Sequence, residues 1–232
     1  MPLVSVVLPT KNEEEGVGIC IEKIQAVLAR AHLDGEIIVA DNSTDRTPEI
    51  AASMGARVVK PDRPGYGAAY LYGVRQAKGK YVLNLDADDT YDVEAIPRFI
   101  EVLEKGEADF VLGNRFKGHI EKGAMPVLTR IIGSPVLTWV FNRIAGTRLS
   151  DSLSGMWALQ RSSFDKLEVD TYGWDFNFNF LMQIKVQGLR MQEIPIRYYR
   201  RKGKSKLTLL GGGISELRIL LRLLFKRPRK RK

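Results

Sequence analysis

Lys80-Tyr81-Val82-Leu83-Asn84-Leu85-Asp86-Ala87-Asp88-Asp89 is an apolar run that stops abruptly on two carboxylates with one residue between them. A strand that gathers negative charge at its carboxyl end needs a cation to use it. Two carboxylates spaced i, i+2 can share one site as the chain leaves a sheet. Mg2+ and Mn2+ prefer oxygen ligands and take few from protein when phosphates supply the rest. Asp86 and Asp88 are therefore the candidate metal ligands, and the metal would neutralise charge on a leaving diphosphate. That points to a nucleotide-activated substrate.

Strands and helices alternate on either side of this run. Leu3–Leu8 is apolar and rich in β-formers, and 13–30 has helical spacing in Val17, Cys20, Ile21, Ile24, Val27 and Leu28. Glu36–Ala40 reads as a second strand, followed by the capping-rich turn Asp41-Asn42-Ser43-Thr44-Asp45. Pro48 suits the first turn of a helix over 48–54. A short strand over 57–60, a helix from Gly65 to about Ala77, the strand over 81–85, a helix over 93–105 and a strand over 110–112 complete the first half. Continuous apolar strands alternating with helices predict an α/β fold with a mixed, mainly parallel sheet covered on both faces. Ligands of such sheets sit at the carboxyl ends of the strands. The polar clusters at 9–13, 41–45, 86–89 and 113–115 fall there.

The second half is less regular. Residues 125–144 form a long apolar stretch broken by Gly133 and Pro135. A turn at 151–155 leads to a strand at 156–160, 174–187 looks helical, 191–199 alternates like a strand, and a helix over 207–225 follows the break at Gly211-Gly212-Gly213. The expected organisation is one α/β domain over 1–206, with the regular half at 1–115 and the less regular half at 116–206, followed by an amphipathic helix and basic tail at 207–232.

Composition narrows the class. The chain has 232 residues, 44% of them hydrophobic, which suits one domain with a full core. The lone cysteine, Cys20, rules out an internal disulfide, fits a reducing compartment and reads as helix packing. Met1 leads straight into a strand, so no signal peptide is read. No apolar run approaches the ~18–20 residues of a membrane span. Six of the nine net positive charges lie in Lys226-Arg227-Pro228-Arg229-Lys230-Arg231-Lys232. A basic tail behind the mostly apolar 214–225, whose Glu216, Arg218 and Arg222 make one polar face, is a two-signal anchor for an anionic membrane surface. A solvated tail is the plainer alternative. The stretch 126–144, with Trp139 and Phe141, either dips into the same interface or packs on the sheet. His32 and His119 read as surface residues, and Trp157 and Trp174 as core or as walls of an acceptor groove.

Gly65-Tyr66-Gly67-Ala68-Ala69-Tyr70 is no dinucleotide fingerprint, because it follows the third strand and Tyr70 replaces the last glycine. It reads as a helix start that brings backbone close to a nucleotide sugar.

Pro9-Thr10-Lys11-Asn12-Glu13, Asp41-Asn42-Ser43-Thr44-Asp45-Arg46-Thr47, Gly65-Tyr66-Gly67-Ala68-Ala69 and Asp86-Ala87-Asp88 together resemble the ordered signature of family 2 inverting glycosyltransferases of the GT-A fold. Within that family the chain is similar to the polyprenyl- (dolichyl-) phosphate sugar synthases. Gly113-Asn114-Arg115, Gly123-Ala124-Met125-Pro126, Asp151-Ser152-Leu153-Ser154-Gly155 and Gly203-Lys204-Ser205-Lys206-Leu207 carry that second likeness. The match covers nearly all of 3–210.

The resemblance implies roles. Pro9, Thr10, Glu13, Asp41, Ser43, Gly67 and Asp86 would bind the donor, and Asp86 and Asp88 the Mg2+ or Mn2+ and diphosphate. Arg115, Asp151, Ser154, Arg201 and Lys206 would bind the acceptor, and Asp86, Asp88, Arg115, Arg201 and Lys206 would form the catalytic set. The implied reaction moves a hexose from a nucleotide diphosphate sugar, UDP-glucose before GDP-mannose, to a polyprenyl phosphate. The implied setting is peripheral, on the cytoplasmic face of a membrane through 214–232, with no nucleic acid partner. Two positions depart from the family: Tyr66 stands where many relatives carry lysine, and Asp175 and Asn179 stand where several carry glutamates. Asn179 cannot act as a base. A phosphate acceptor needs none, since its second pKa is about 6 and it is already charged at neutral pH; an alcohol acceptor does need one. Arg197, Arg200, Arg201, Lys202, Lys204 and Lys206 offer cations for a phosphate within ten residues. Two alternatives stay open: a hydroxyl acceptor with Asp151 or Asp175 as base, and a non-catalytic protein that binds anionic membranes or nucleic acid through its tail.

Overall fold

The computed structural model describes residues 1–169, 172–173, 176–203 and 218–222. Among the described residues seven strands form one sheet in the order β3-β2-β1-β4-β6-β5-β7. They are β1 (Val4–Thr10), β2 (Gly35–Asp41), β3 (Arg57–Val59), β4 (Tyr81–Asn84), β5 (Phe110–Ile120), β6 (Trp157–Gln160) and β7 (Met191–Tyr198). β1 pairs in parallel with β2 and β4, and every residue of β1 is buried. That is what an unbroken apolar run requires when helices cover both faces. β6 runs antiparallel to β4 and β5, which makes the sheet mixed as expected.

Side chains alternate between two cores. Val4, Val6 and Leu8 point to one face, beneath α1 (Val17–Arg30), α2 (Thr47–Ser53) and α4 (Ile96–Glu104). Val7, Ile38 and Val82 point to the other, beneath α3 (Tyr66–Gln76), α5 (Ser134–Ala145), the short α6 (Arg161–Phe164) and α7 (Phe176–Val186). Trp157 belongs to this second core, 4.7 Å centroid to centroid from Phe180. It lines no groove, and Trp174 lies outside the described residues. Cys20 packs in α1 as expected, and burial pushes its thiol up to about 12.

Several boundaries differ from the sequence expectation, each for a local reason. Helix α1 starts at Val17 rather than at residue 13, because the Glu13 backbone N–H donates to the Thr47 hydroxyl at 2.8 Å and Asn12 adopts φ 55°. β5 runs on to Ile120. Its polar continuation pairs with β7 across an irregularity between Asn114 and His119, which apolar patterning does not reveal. Gly133 and Pro135 do not break the apolar stretch at 125–144, which is helical from residue 127 onward. Thr129–Gly133 forms a π-helical turn that carries the chain past the glycine, and Pro135, which has no N–H to donate, follows directly in the first turn of α5.

Of the segment expected to anchor the chain at 214–232, only 218–222 is described. It is helical, and Ile219 and Leu220 are buried in the second core. These two apolar side chains are taken up by packing, while Leu221, between them and Arg222, is half exposed. The basic tail and the start of the 207–225 helix lie outside the described residues.

Strand order reverses between β1 and β4, since the chain travels outward through β2 and β3 before returning. A parallel sheet opens a crevice at such a switch point, at the carboxyl ends of the strands.

Candidate active site

The carboxyl ends of β1, β2 and β4 meet at this crevice. Thr10 ends β1 and Asp41 ends β2, and the register sets them side by side. The Thr10 hydroxyl donates to Asp41 Oδ1 at 2.7 Å, and the Ser43 backbone N–H donates to Asp41 Oδ2 at 3.0 Å. The Asn12 N–H donates to Ser43 Oγ at 2.7 Å, while Asn12 Oδ1 accepts from the Thr44 N–H at 2.8 Å. The two loops after β1 and β2 thus brace each other. Pro9, Thr10, Glu13 and Asp41 are buried in this brace. Gly67 is buried in the first turn of α3.

Asp86 and Asp88 leave β4 beside it. Asp88 Oδ1 is held by its own turn, accepting from the Thr90 N–H at 3.1 Å and the Thr90 hydroxyl at 2.6 Å. Asp88 Oδ2 faces Arg201, whose Nη1 lies 2.8 Å away. Nη2 of the same guanidinium donates to Glu13 Oε1. Asp86 Oδ1 accepts from the Tyr70 hydroxyl at 3.0 Å, and the Tyr66 and Tyr70 hydroxyls are 2.6 Å apart. Burial first, and the Asp88 charge second, push the Asp86 carboxyl up to about 7, with the Tyr70 hydrogen bond and Arg201 pulling the other way.

Glycines let the backbone close in. A Cβ on Gly155 would sit 3.1 Å from Asp86 Oδ2 and 3.1 Å from the Tyr91 hydroxyl. A Cβ on Gly16, at the start of α1, would sit 2.6 Å from the Ala87 carbonyl oxygen. One turn further along α1, Cys20 Sγ accepts from the Asp89 N–H at 3.2 Å, and Lys23 Nζ pairs with Asp89 Oδ1 at 2.5 Å. Gly16, Cys20 and Lys23 thus strap the Asp86–Asp89 turn to α1 along one helix face. Asp89 is thus paired with Lys23 on α1. Gly65 has φ 132°, and a Cβ there would meet the Tyr172 carbonyl oxygen at 2.2 Å. The close approach at Gly65 is thus to the protein's own backbone.

Arg115 and Asp151 form a second buried unit. Arg115 donates from Nε to Asp151 Oδ2 and from Nη2 to Asp151 Oδ1, both at 2.8 Å, and its backbone N–H adds a third bond at 3.0 Å. The Arg115 guanidinium also lies 5.2 Å from the Tyr198 ring centroid. Glu193 on β7 receives the Ser150 and Asp151 N–H groups. Asp151, fully buried and engaged on both oxygens, is removed from a base role, while Asp175 lies outside the described residues. Ser154 is buried, and its hydroxyl has no partner among the described residues. Lys206 also lies outside them. Sequence reasoning missed Tyr70, Tyr91 and Lys23; the pairing of an aromatic at 70 with the carboxylate at 86 had no local signal.

Asp86 and Asp88 suit Mg2+ or Mn2+ in donor type, since both offer hard carboxylate oxygens. The guanidinium on Asp88 and Glu13 marks the place as one that attracts a cation. No cluster of three or more His, Cys, Asp or Glu that could hold a metal occurs among the described residues, so a bound ion would take its remaining ligands from substrate and water.

The model of "Glycosyl transferase family 2" matches residues 5–168. The chain is 40% identical over 220 residues to "Low-salt glycan biosynthesis hexosyltransferase Agl6" of Haloferax volcanii, covering 95% of this chain and 53% of that protein. It thus spans about half the length of that relative. It is 34% identical to a "Dolichyl-phosphate hexose transferase" of the same organism, covering 90% of this chain and 88% of that one. Among solved structures, mannosyl-3-phosphoglycerate synthase from Rubrobacter xylanophilus superposes with TM-score 0.75 at 26% identity, covering 96% of this chain and 74% of the other. Glucosyl-3-phosphoglycerate synthase from Mycobacterium tuberculosis, in complex with Mn2+, UDP-glucose and phosphoglyceric acid, superposes with TM-score 0.74 at 26% identity, covering 97% and 79%. A switch-point site with paired carboxylates, a family match over most of the sheet and these likenesses agree: the chain belongs to glycosyl transferase family 2 and carries the GT-A fold.

Proposed function

We propose that the protein transfers a hexose from a nucleotide diphosphate sugar to a polyprenyl phosphate, with inversion. The carrying observation is the Asp86–Asp88 pair at the switch point, with the Arg201 guanidinium bridging Asp88 to Glu13. Thr10, Glu13, Asp41 and Ser43, with Pro9 and Gly67, would hold the nucleoside end of the donor. Asp86 and Asp88 would hold Mg2+ or Mn2+, which when bound supplies Lewis-acid neutralisation of the leaving diphosphate.

An oxygen of the acceptor phosphate attacks the anomeric carbon from the face opposite the diphosphate. The bond to the diphosphate oxygen breaks and takes its electron pair with it. The acceptor is already an anion, so no proton has to be removed. Asp151 is unavailable for that task in any case, because Arg115 holds both its oxygens. Arg201 and Lys206 are assigned to guide the incoming phosphate. Arg115 acts through Asp151 to fix the 151–155 turn, which presents Ser154 and sets Gly155 against Asp86. The name of the Haloferax relative, a dolichyl-phosphate hexose transferase, supports this acceptor class. The preferred donor is UDP-glucose, then GDP-mannose.

A thermal-shift panel of UDP, GDP and dTDP sugars with Mn2+ tests the donor, because a ligand at ~100 times its Kd adds roughly 2.7 kcal/mol to stability. Transfer to short-chain polyprenyl phosphate is then compared with transfer to the free alcohol. Equal rates on both would overturn the acceptor assignment. Asp88→Ala should lower kcat by about 10³-fold or more with the fold retained, as expected when charge stabilisation at the leaving group is lost; near-normal turnover would remove the metal assignment.

A further inference from the structure

From the helix that precedes the Asp151 turn, we infer a bilayer-docking face. The π-helical turn and α5 run on from 129 to 145 without a break. Their buried side carries Ser134, Thr138, Phe141 and Ile144. Their outer side, with the two residues before them, carries Val127, Leu128, Ile131, Ile132, Val136 and Trp139, each more than half exposed. The spacing of three to five residues lines them along one flank of the helix. Six large apolar side chains grouped on one element are not the scattered singles of an ordinary surface. They also make up most of the large apolar residues exposed among the described residues.

The charge around this face selects the occupant. From Lys122 to Ser150 the chain has no Asp or Glu, but it has Lys122, Arg130, Arg143 and Arg148, all exposed. Arg143 lies over the Trp139 ring, 5.6 Å from its centroid, so the aromatic and the cation present themselves together. An apolar flank with a tryptophan, rimmed by cations and free of carboxylates, matches the interface of an anionic bilayer. The helix lies on such a surface and does not cross it, since no helix among the described residues is long and apolar enough to span one. This moves the apolar part of membrane contact away from 219–220, which is packed inside, to α5.

The face is connected to the chemistry. The Thr138 hydroxyl, on the buried side of α5, hydrogen-bonds the Ser152 hydroxyl at 2.8 Å. Ser152 stands between Asp151, held by Arg115, and Gly155, which sits against Asp86. A helix resting in the headgroup layer therefore has a short, packed route to the cation site. The inference deepens the proposed function and rests on it only for the reason a bilayer would be approached.

The test uses the full chain with no donor or acceptor present, so its failure is separate from failure of the transfer assignment. Exposed positions are changed together in Ile131→Ser/Ile132→Ser/Trp139→Ser and compared with the wild type. Both are titrated with vesicles of phosphatidylcholine containing about a third phosphatidylglycerol, and with phosphatidylcholine alone. The wild type should bind the anionic vesicles, keep part of that binding in high salt, and show tryptophan quenching by brominated lipid that reports insertion into the acyl boundary. The triple variant should lose about tenfold or more in affinity for the anionic vesicles, with an unchanged melting temperature. Equal binding by both proteins overturns the inference and assigns membrane contact to the basic tail. A concentration-dependent dimer that the variant abolishes, with no difference on vesicles, overturns it in favour of a second copy of the chain. Absence of quenching in the wild type also overturns it.

Discussion

Asp86 shows what a single residue contributes to the fold and to the site, with opposite signs. Its carboxyl is raised from the ordinary 3.8 to about 7, chiefly by burial and then by the Asp88 charge. In the unfolded chain it ionises near the ordinary value. Between these two values the unfolded state sheds a proton that the folded state keeps, so stability falls as pH rises from about 4 to about 7 and is level above. Asp86→Asn should therefore raise the melting temperature at pH 8 by about 3–6 °C, an order of magnitude set by ~1–2 kcal/mol after discounting for its partial exposure, and leave it nearly unchanged at pH 4. Calorimetry at the two pH values checks this; no gain at pH 8 would mean that the carboxylate is not strained. The same substitution should abolish transfer. The two carboxylates were legible in the sequence because an apolar strand ended on them. Tyr70, which donates to Asp86, was not, because sixteen positions and a helix separate the partners and only folding brings them to 3.0 Å. The Asp89 partner was equally hidden, since Lys23 lies 66 positions away on α1.

At the scale of elements, the Arg115–Asp151 pair joins β5 to the turn that enters β6. The antiparallel direction of β6 places that turn at the same end of the sheet as the end of β4. Replacing one partner leaves the other buried without its counter-charge. Asp151→Asn should cost about 3–5 kcal/mol, seen as a fall in melting temperature of about 10 °C or more. A catalytic base would instead lose turnover and keep its stability, so melting and kinetics on one preparation separate the two roles. The helices and parallel strands of the first half were readable because their periods are clean and each buries a continuous face. The polar extension of β5 was not, since its hydrogen bonds to β7 compensate for a sequence with no apolar alternation. The helix across Gly133 and Pro135 was not readable: the stretch was seen as apolar and broken at those two residues, because the π-helical turn that carries the chain past the glycine has no sequence signal. Its outer face was foreseen only as one of two options, with the C-terminal helix preferred. Ile219 and Leu220 are buried, so these two side chains do not belong to an outer apolar face.

At the scale of the whole molecule, one sheet runs through both halves of the sequence, and the reversal between β1 and β4 decides where the site lies. This was legible in outline, because polar clusters ended successive strands. What could not be read was a contact 188 residues long in sequence, from Glu13 to Arg201. Arg201 also sits on Asp88, so the protein carries an internal cation where a metal would be held. Arg201→Gln should tighten Mn2+ binding measured by paramagnetic resonance, since two like charges no longer compete within a few ångströms, and it should slow transfer to the phosphate acceptor. Weaker Mn2+ binding in that variant would show that the arginine supports the metal instead of opposing it. The bridge also has a consequence for timing. A guanidinium already engaged by Glu13 and Asp88 is not available to an incoming phosphate, and on the proposed function a divalent ion bound with the nucleotide would displace it from Asp88. Under the proposed function substrate order would then be compulsory: the sugar nucleotide would enter first and free the arginine, and a lipid phosphate would be met only by a protein already loaded with something to transfer.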